Sequence, residues 1–129
     1  MAYEGEQNTI PGLSASADLS AKQYFFVKMS GEKTVDVCSA VTDKPIGVLQ
    51  NDPTSGQAAT VCAVGLTKVS GDADLNFGNS IGTSVDGQAA AYTAADTTKY
   101  IVGQVVEGNT AAGGLATAFV SCPSARTLA

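Results

Sequence analysis

Short apolar segments with period-two alternation, separated by Gly, Pro, Asn and Asp, run through most of the chain. The clearest example covers residues 45–64. Apolar residues at positions 46, 48 and 49 precede a polar segment with Asn-Asp-Pro and Ser-Gly turn residues, and apolar residues recur at positions 59, 61 and 63. This pattern predicts two strands joined by a structured turn, with one face buried.

The same rhythm predicts about nine short strands, because the apolar alternation resumes after each turn signal. They cover residues 23–29, 34–40, 46–49, 59–64, 66–69, 80–85, 88–93, 100–106 and 115–122. Gly65 is expected to interrupt its strand, and Asp86 and Gly87 to form a two-residue type I′ turn. One helical turn is expected near residues 17–22, after cap signals at Ser16 or Asp18. The predicted fold class is all-β, a small β-sandwich or β-barrel with an extended N-terminal arm.

The first 22 residues differ from the rest, being polar and small with isolated apolar positions. Two interpretations stay open: a disordered terminus, or an arm that becomes ordered when Tyr3, Ile10 and Leu13 dock on a neighbouring protein. We therefore predict an N-terminal arm (1–22), a β domain (23–122) and a C-terminal tail (123–129). Deleting residues 1–16 of such an arm is expected to leave the domain folded.

A faint internal repeat relates two parts of the chain. Ile-Gly at 46–47 and Val-Gly at 102–103 each start a strand, a loop ends at Gly56 or Gly113, and an Ala-Thr pair follows. Either two related strand–loop–strand units lie in the same or facing sheets, or the similarity arises by chance among Gly/Ala-rich β sequences.

Composition and charge indicate one domain and narrow its partners. The 129 residues are 44% hydrophobic but only 6% aromatic, so aliphatic side chains must fill most of the core. The net charge is −5 and the seven basic residues are scattered, which argues against nucleic-acid binding. No signal-peptide pattern is recognisable and no apolar segment is long enough to span a bilayer, so no membrane partner is expected.

Residues that usually carry catalysis are scarce. Histidine is absent, which removes the commonest general base and metal ligand. Cys38, Cys62 and Cys122 lie in apolar segments, where they are expected to be small, buried, reduced side chains. Ser30 and Lys33 match a Ser-x-x-Lys spacing, but they fall in a predicted turn instead of on the helix that this motif needs.

Metal binding has little more support. Asp72, Asp74 and Asn76 have the spacing that begins a calcium loop, but Phe77 occupies the position where such a loop needs glycine. A solvated turn is the better interpretation. The sequence thus predicts no enzyme activity, no metal and no cofactor, and indicates a structural or binding role.

Four blocks resemble the capsid decoration (cement) proteins of bacteriophages, a family of small head-stabilising proteins. They are residues 17–28 (ADLSAKQYFFVK), 45–53 (PIGVLQNDP), 56–61 (GQAATV) and 65–69 (GLTKV). The first two blocks are the more specific ones, and the resemblance extends over residues 10–121. The chain departs from the family in its polar start at residues 3–9, its tail at 122–129, and Asn79, where relatives often carry Asp.

The resemblance implies a virion protein on the outer surface of an icosahedral head, assembled in the host cytoplasm. Its partners are then the major capsid protein and itself, usually as a homotrimer at local three-fold positions. No catalytic residue is carried over. Tyr3, Ile10 and Leu13 become candidates for capsid or self contacts. The alternative is a glycan-binding module displayed on the virion, against which count the missing Trp and the few exposed aromatics expected.

Overall fold

The computed structural model of the chain describes residues 2–93, 95–109 and 111–127. Within them lie twelve short strands and a 3₁₀ turn at Cys122–Ser124. The strands are β1 (Gln7–Ile10), β2 (Ser14–Ala15), β3 (Phe26–Gly31), β4 (Thr34–Val37), β5 (Gly47–Leu49), β6 (Val61–Ser70), β7 (Ser80–Thr83), β8 (Ala89–Ala91), β9 (Tyr100–Ile101), β10 (Gly103–Glu107), β11 (Leu115–Ser121) and β12 (Arg126–Thr127). The predicted all-β fold class is confirmed.

Ten strands form one sheet in the order β2-β4-β3-β5-β6-β11-β10-β7-β8, with β1 pairing to β6 outside this order. β9 and β12 form a separate pair, which uses the described part of the predicted tail. The β2–β4 pair is parallel and the other named pairs are antiparallel. The two segments with similar sequence, β5–β6 and β10–β11, lie in the same sheet with β6 beside β11.

The sheet wraps around a main hydrophobic cluster. Two contacts bring its β7–β8 end back towards the other strands: the Phe26 N–H donates to the Gly87 carbonyl at 2.7 Å, and Gly71 forms a bridge with Ala89. The main cluster collects buried residues from β3, β5, β6, β7, β8, β10 and β11. Small aliphatic side chains fill much of it, as the low aromatic content predicted.

The central strands bury both of their faces. Phe26 and Val48 face the main cluster, while the next residues, Val27 and Leu49, face a second cluster on the other side of the sheet. Successive side chains of a strand point to opposite faces, so one strand serves two clusters. The alternation predicted that one face of these strands is buried, but both faces are.

The segment predicted as an arm supplies much of the second cluster. β1 pairs with β6 and β2 pairs with β4. Leu13, Ala15 and Leu19 are buried in the second cluster against the central strands. The described part of residues 1–22 is thus built into the β domain of its own chain. The expectation that residues 1–16 are dispensable for folding conflicts with this packing.

Gly65 does not interrupt its strand. β6 runs from Val61 to Ser70 through this glycine, whose φ of +142° is strained for any residue with a side chain. A Cβ at position 65 would collide with the Glu6 carbonyl and the Gln7 Cα. Glycine is therefore needed here because the N-terminal segment passes directly over the β6 backbone.

Two local predictions are wrong in detail. The loop at residues 85–87 has three residues, with the Gly87 N–H donating to the Ser84 carbonyl at 3.2 Å. Among the described residues Asp86 is not in the positive-φ region, so the turn is not type I′; Gly87, at φ +83°, follows it. Near residues 17–22 the chain makes a turn, with the Lys22 N–H donating to the Leu19 carbonyl at 3.0 Å, and forms no helix.

Candidate interaction surface

The residues predicted to contact a neighbour lie in two different places. Ile10 pairs with Val61 and packs against the second cluster, and Leu13 is buried inside that cluster. Their side chains contact the core of their own chain. Tyr3 is 43% exposed and is anchored to β11 through its backbone. Of the three candidates, Leu13 is buried, Ile10 is half-buried, and Tyr3 is the most exposed.

Residues 3–6 form a strap across the sheet. The Tyr3 N–H donates to Thr117 Oγ1 at 2.7 Å, and the Thr117 hydroxyl donates to the Tyr3 carbonyl at 3.1 Å. The Gly5 N–H donates to the Leu66 carbonyl at 2.9 Å. Thr117 is fully buried although the main cluster does not include it, because the strap covers it.

We define the outer face as the side of β6, β10 and β11 that points away from the main cluster. Beside the strap, this face is exposed to solvent. Residues Ala116, Ala118 and Val120 of β11 point into that cluster. Leu115 and Phe119 therefore point outwards, and Phe119 is 53% exposed. Phe119 lies opposite Leu66 of β6 and Gln104 of β10, so the three side chains are neighbours.

Two more apolar side chains extend this face towards β10. A bulge in β10 leaves Val106 exposed. Phe77, in the loop between β6 and β7, is 80% exposed. The side-chain amide of Gln104 donates to the Gly78 carbonyl at 3.1 Å, which ties the Phe77 loop to the strand that neighbours Phe119.

The loop that carries Phe77 is held firmly. Asn109 Oδ1 accepts the Leu75 N–H at 2.6 Å, and Asn109 Nδ2 donates to the Ala73 carbonyl at 3.2 Å. The Leu75 side chain is buried in the main cluster. On the other side of the aromatic ring, the Gly78 N–H donates to the Val105 carbonyl at 2.7 Å. A fixed backbone with an exposed ring loses little entropy on binding.

The charges around the outer face are mostly negative. Glu4 and Glu6 are exposed on the strap, and Asp74 is exposed in the loop that carries Phe77. Lys68 is the one cation among the residues of β6, β10 and β11, and its Nζ lies 3.9 Å from a Glu4 carboxylate oxygen. An apolar centre bordered by carboxylates suits a protein surface with the opposite charge.

Two grooves mark the surface of the described residues. One, of about 360 Å³, lies beside Phe119 and is lined by Glu6, Gln7, Asn8, Val64, Gly65 and Phe119. The other, of about 390 Å³, is lined by Lys28, Met29, Lys44, Pro45, Ile46, Cys122 and Pro123. Its two ammonium groups are already engaged, since Lys28 pairs with Asp43 at 2.9 Å and Lys44 lies 5.8 Å from the centre of the Tyr100 ring.

The thiols are suited to packing. The three cysteines are free and buried in the main cluster, as predicted from the apolar segments around them. Burial raises the pKa of Cys38 to about 12, that of Cys62 to about 11 and that of Cys122 to about 12. The nucleophilic thiolate is therefore a minor species at neutral pH.

The Ser-x-x-Lys spacing falls in a turn, as predicted. Ser30 Oγ lies 2.8 Å from Ser16 Oγ, at the β3–β4 hairpin, and Lys33 is exposed in that turn. The described residues contain no group of three or more Cys, Asp or Glu side chains placed to hold a metal ion. They also contain no helix that is long and apolar enough to cross a membrane.

Sequence reasoning missed Phe77 and Phe119. Two signals were present. Phe77 is a lone aromatic in a polar loop, next to a glycine. In β11 the small residues Ala116 and Ala118 alternate with the larger Leu115 and Phe119, so the larger side chains are the outward ones once the core side is known.

The fold matches that of a bacteriophage protein. No protein-family model matches the sequence, and a search among curated proteins finds no match. The crystal structure of the head fiber gp8.5 N base in bacteriophage phi29 is similar to this chain with a TM-score of 0.62 and 19% sequence identity. The similarity covers 91% of this chain and 94% of that chain. The two chains therefore share a fold.

Proposed function

We propose that this chain is a structural protein of a bacteriophage virion that binds the outer surface of the head and stabilises contacts between capsid subunits. The observation that carries the proposal is the fold shared with the base of a head fiber, which extends over 91% of the chain. The resemblance of residues 17–28 and 45–53 to phage decoration proteins suggests the finer role of binding and stabilising the head. The partner is then the major capsid protein.

The chemistry of the surface supports a binding role without catalysis. The thiols are buried, and the exposed aromatic rings lie on a strand and on a braced loop. These are features of protein-binding surfaces, in which aromatic side chains contribute much of the binding energy. A homotrimer at a local three-fold position would add avidity, since several weak contacts then act together.

The test is binding to purified heads of the phage that encodes the chain, stripped of this protein, in expanded and unexpanded forms. We expect co-sedimentation with expanded heads, density on their outer surface by electron microscopy, and a higher temperature of head disruption. The absence of binding to both forms overturns the proposal. Binding without a change in head stability overturns the stabilising role, and only the proposed attachment to the head then stands.

A glycan-binding module is the second candidate. The groove beside Phe119 favours it, because an aromatic ring lies there next to the Glu6 carboxylate and the Asn8 amide, groups that can stack on a sugar ring and bond its hydroxyls. More aromatic rings are exposed than the sequence indicated. A glycan array with no hits for the folded protein removes this candidate.

A further inference from the structure

We propose that the outer face, centred on Phe119 and Phe77, is the surface that docks on the head, and that its partner presents an apolar patch bordered by Lys and Arg side chains. This inference rests on the proposed function and adds to it the docking surface and the chemistry of the partner.

Exposed apolar side chains are concentrated on and around the outer face. Among the described residues seven large hydrophobic side chains are exposed: Tyr3, Met29, Phe77, Val85, Val106, Leu115 and Phe119. All but Met29 and Val85 belong to the outer face, its strap or its Phe77 loop. A concentration of this kind on one side of a small protein marks an interaction site, whereas single exposed apolar residues need no explanation.

These side chains also lie outside both hydrophobic clusters. Phe119 and Leu115 point away from the clusters, and the inward positions of the same strand are held by Ala116, Ala118 and Val120. The Phe77 backbone is fixed by Asn109 and Val105 while its ring is solvated. An aromatic ring that has a fixed backbone and is not buried within its own chain can bind a partner at low entropic cost.

The charge of the face indicates the chemistry of the partner. Glu4 and Glu6 border the face on the strap and Asp74 lies in the Phe77 loop, while Lys68 is the one cation among the residues of β6, β10 and β11. Two copies of this face would bring like charges together, which costs binding energy. A capsid surface with cations around an apolar centre would match both the aromatic centre and the carboxylates of the outer face. The carboxylates would also speed the encounter between the capsid and this protein.

The experiment compares head binding of matched variants. Phe77→Ser combined with Phe119→Ser removes the aromatic centre, while Met29→Ser combined with Val85→Ser removes two exposed apolar side chains elsewhere. We expect the first pair to weaken binding at least about tenfold, as for buried aromatic contacts, and the second pair to leave it within about twofold. Circular dichroism and thermal unfolding check that each variant is folded. If the double variant does not fold, Phe77→Ser alone decides.

A charge variant tests the chemistry of the partner. Glu4→Gln combined with Glu6→Gln should slow association with heads and reduce the loss of binding on going from low to high salt. A salt response equal to that of the unchanged protein overturns the cationic border.

The outcomes separate the two proposals. If the unchanged protein does not bind heads, the proposed function fails. If it binds and the aromatic variant binds equally well, the proposed function stands and this docking surface is overturned. If the aromatic variant binds normally but loses self-association in analytical ultracentrifugation, the outer face is an interface between copies and the proposal is likewise overturned.

Discussion

The two halves of the sheet are covered differently. Around β3, β5 and the start of β6, both faces are buried, since Val27, Leu49 and Val61 lie beneath the segment that carries Leu13 and Leu19. Around β10, β11 and the end of β6 the inner face is buried, and the outer face is covered by the strap at Thr117. There the outer face carries Leu115 and Phe119 in contact with solvent.

The difference shows which part of the sheet the chain covers with its own N-terminal segment and which part it leaves exposed to solvent. Residues 10–19 pack over the half of the sheet formed by β3, β5 and the start of β6. In the other half, the strap covers the outer face at Thr117. This half keeps larger side chains on the outside than on the inside of β11. Burial in the first half contributes to stability, whereas in the second half the exposed surface of Phe119 and Leu115 is available for binding.

Deleting residues 2–16 tests the covered half most strongly. The deletion removes β1, β2 and the buried side chains of Leu13 and Ala15, and it exposes Val61. We expect a loss of about 5 kcal/mol or more in the free energy of unfolding, comparable to the whole stability of many domains. Urea unfolding followed by circular dichroism measures it. An unfolding midpoint equal to that of the full chain would show that the second cluster is stable without residues 2–16.

Leu19→Ala is the corresponding single change. Leu19 is almost fully buried in the second cluster, so its truncation leaves a cavity. The expected cost is about 2–5 kcal/mol in the free energy of unfolding. Leu115→Ala, which shortens an exposed leucine of the other half, is the matched control and should change stability by less than about 0.5 kcal/mol. Equal costs for the two variants would contradict the comparison.

Acid should weaken the covered half through Asp43. Burial by itself would raise the pKa of this carboxyl, but bonds from the Ser39 and Ala40 N–H groups and the Lys28 ammonium lower it below the ordinary 3.8. A lowered folded-state pKa stabilises the fold above the unfolded pKa, and this contribution is lost as pH falls through the folded pKa. Asp43→Asn should therefore be about 1 kcal/mol less stable at neutral pH, with the deficit shrinking below about pH 4. Denaturant titrations of both proteins across this pH range measure the difference, and a deficit that does not change with pH would exclude the charge as its cause.

Phe119→Ser should have the smallest effect on stability. Its ring is largely solvated and contacts neither cluster, so we expect the free energy of unfolding to change by no more than about 0.5 kcal/mol. Thermal unfolding of the purified variant checks this. A large destabilisation would mean that Phe119 packs on the strap as part of the fold, and the outer face would then not be a bare half.

Much of the fold could be predicted because strands leave a local signature. The alternation at residues 45–64 and 115–122 located β5, β6 and β11, and Gly87 marked the β7–β8 turn. The type of that turn could not be predicted, because Asp86 is compatible with more than one backbone conformation. The candidate site was found only in part: Tyr3 is exposed, but Ile10 and Leu13 face their own core.

The sequence by itself determined that the chain is all-β, that aliphatic residues fill its core and that its thiols are buried, because composition and period-two alternation are local properties. Only the tertiary structure decided where residues 7–19 go and which side of β11 faces solvent. Leu13 is an isolated apolar residue in a polar segment, whereas Phe119 lies within an apolar strand, yet Leu13 is buried and Phe119 is half-exposed. That outcome is decided by long-range pairing with β4 and β6, which no short stretch of sequence encodes.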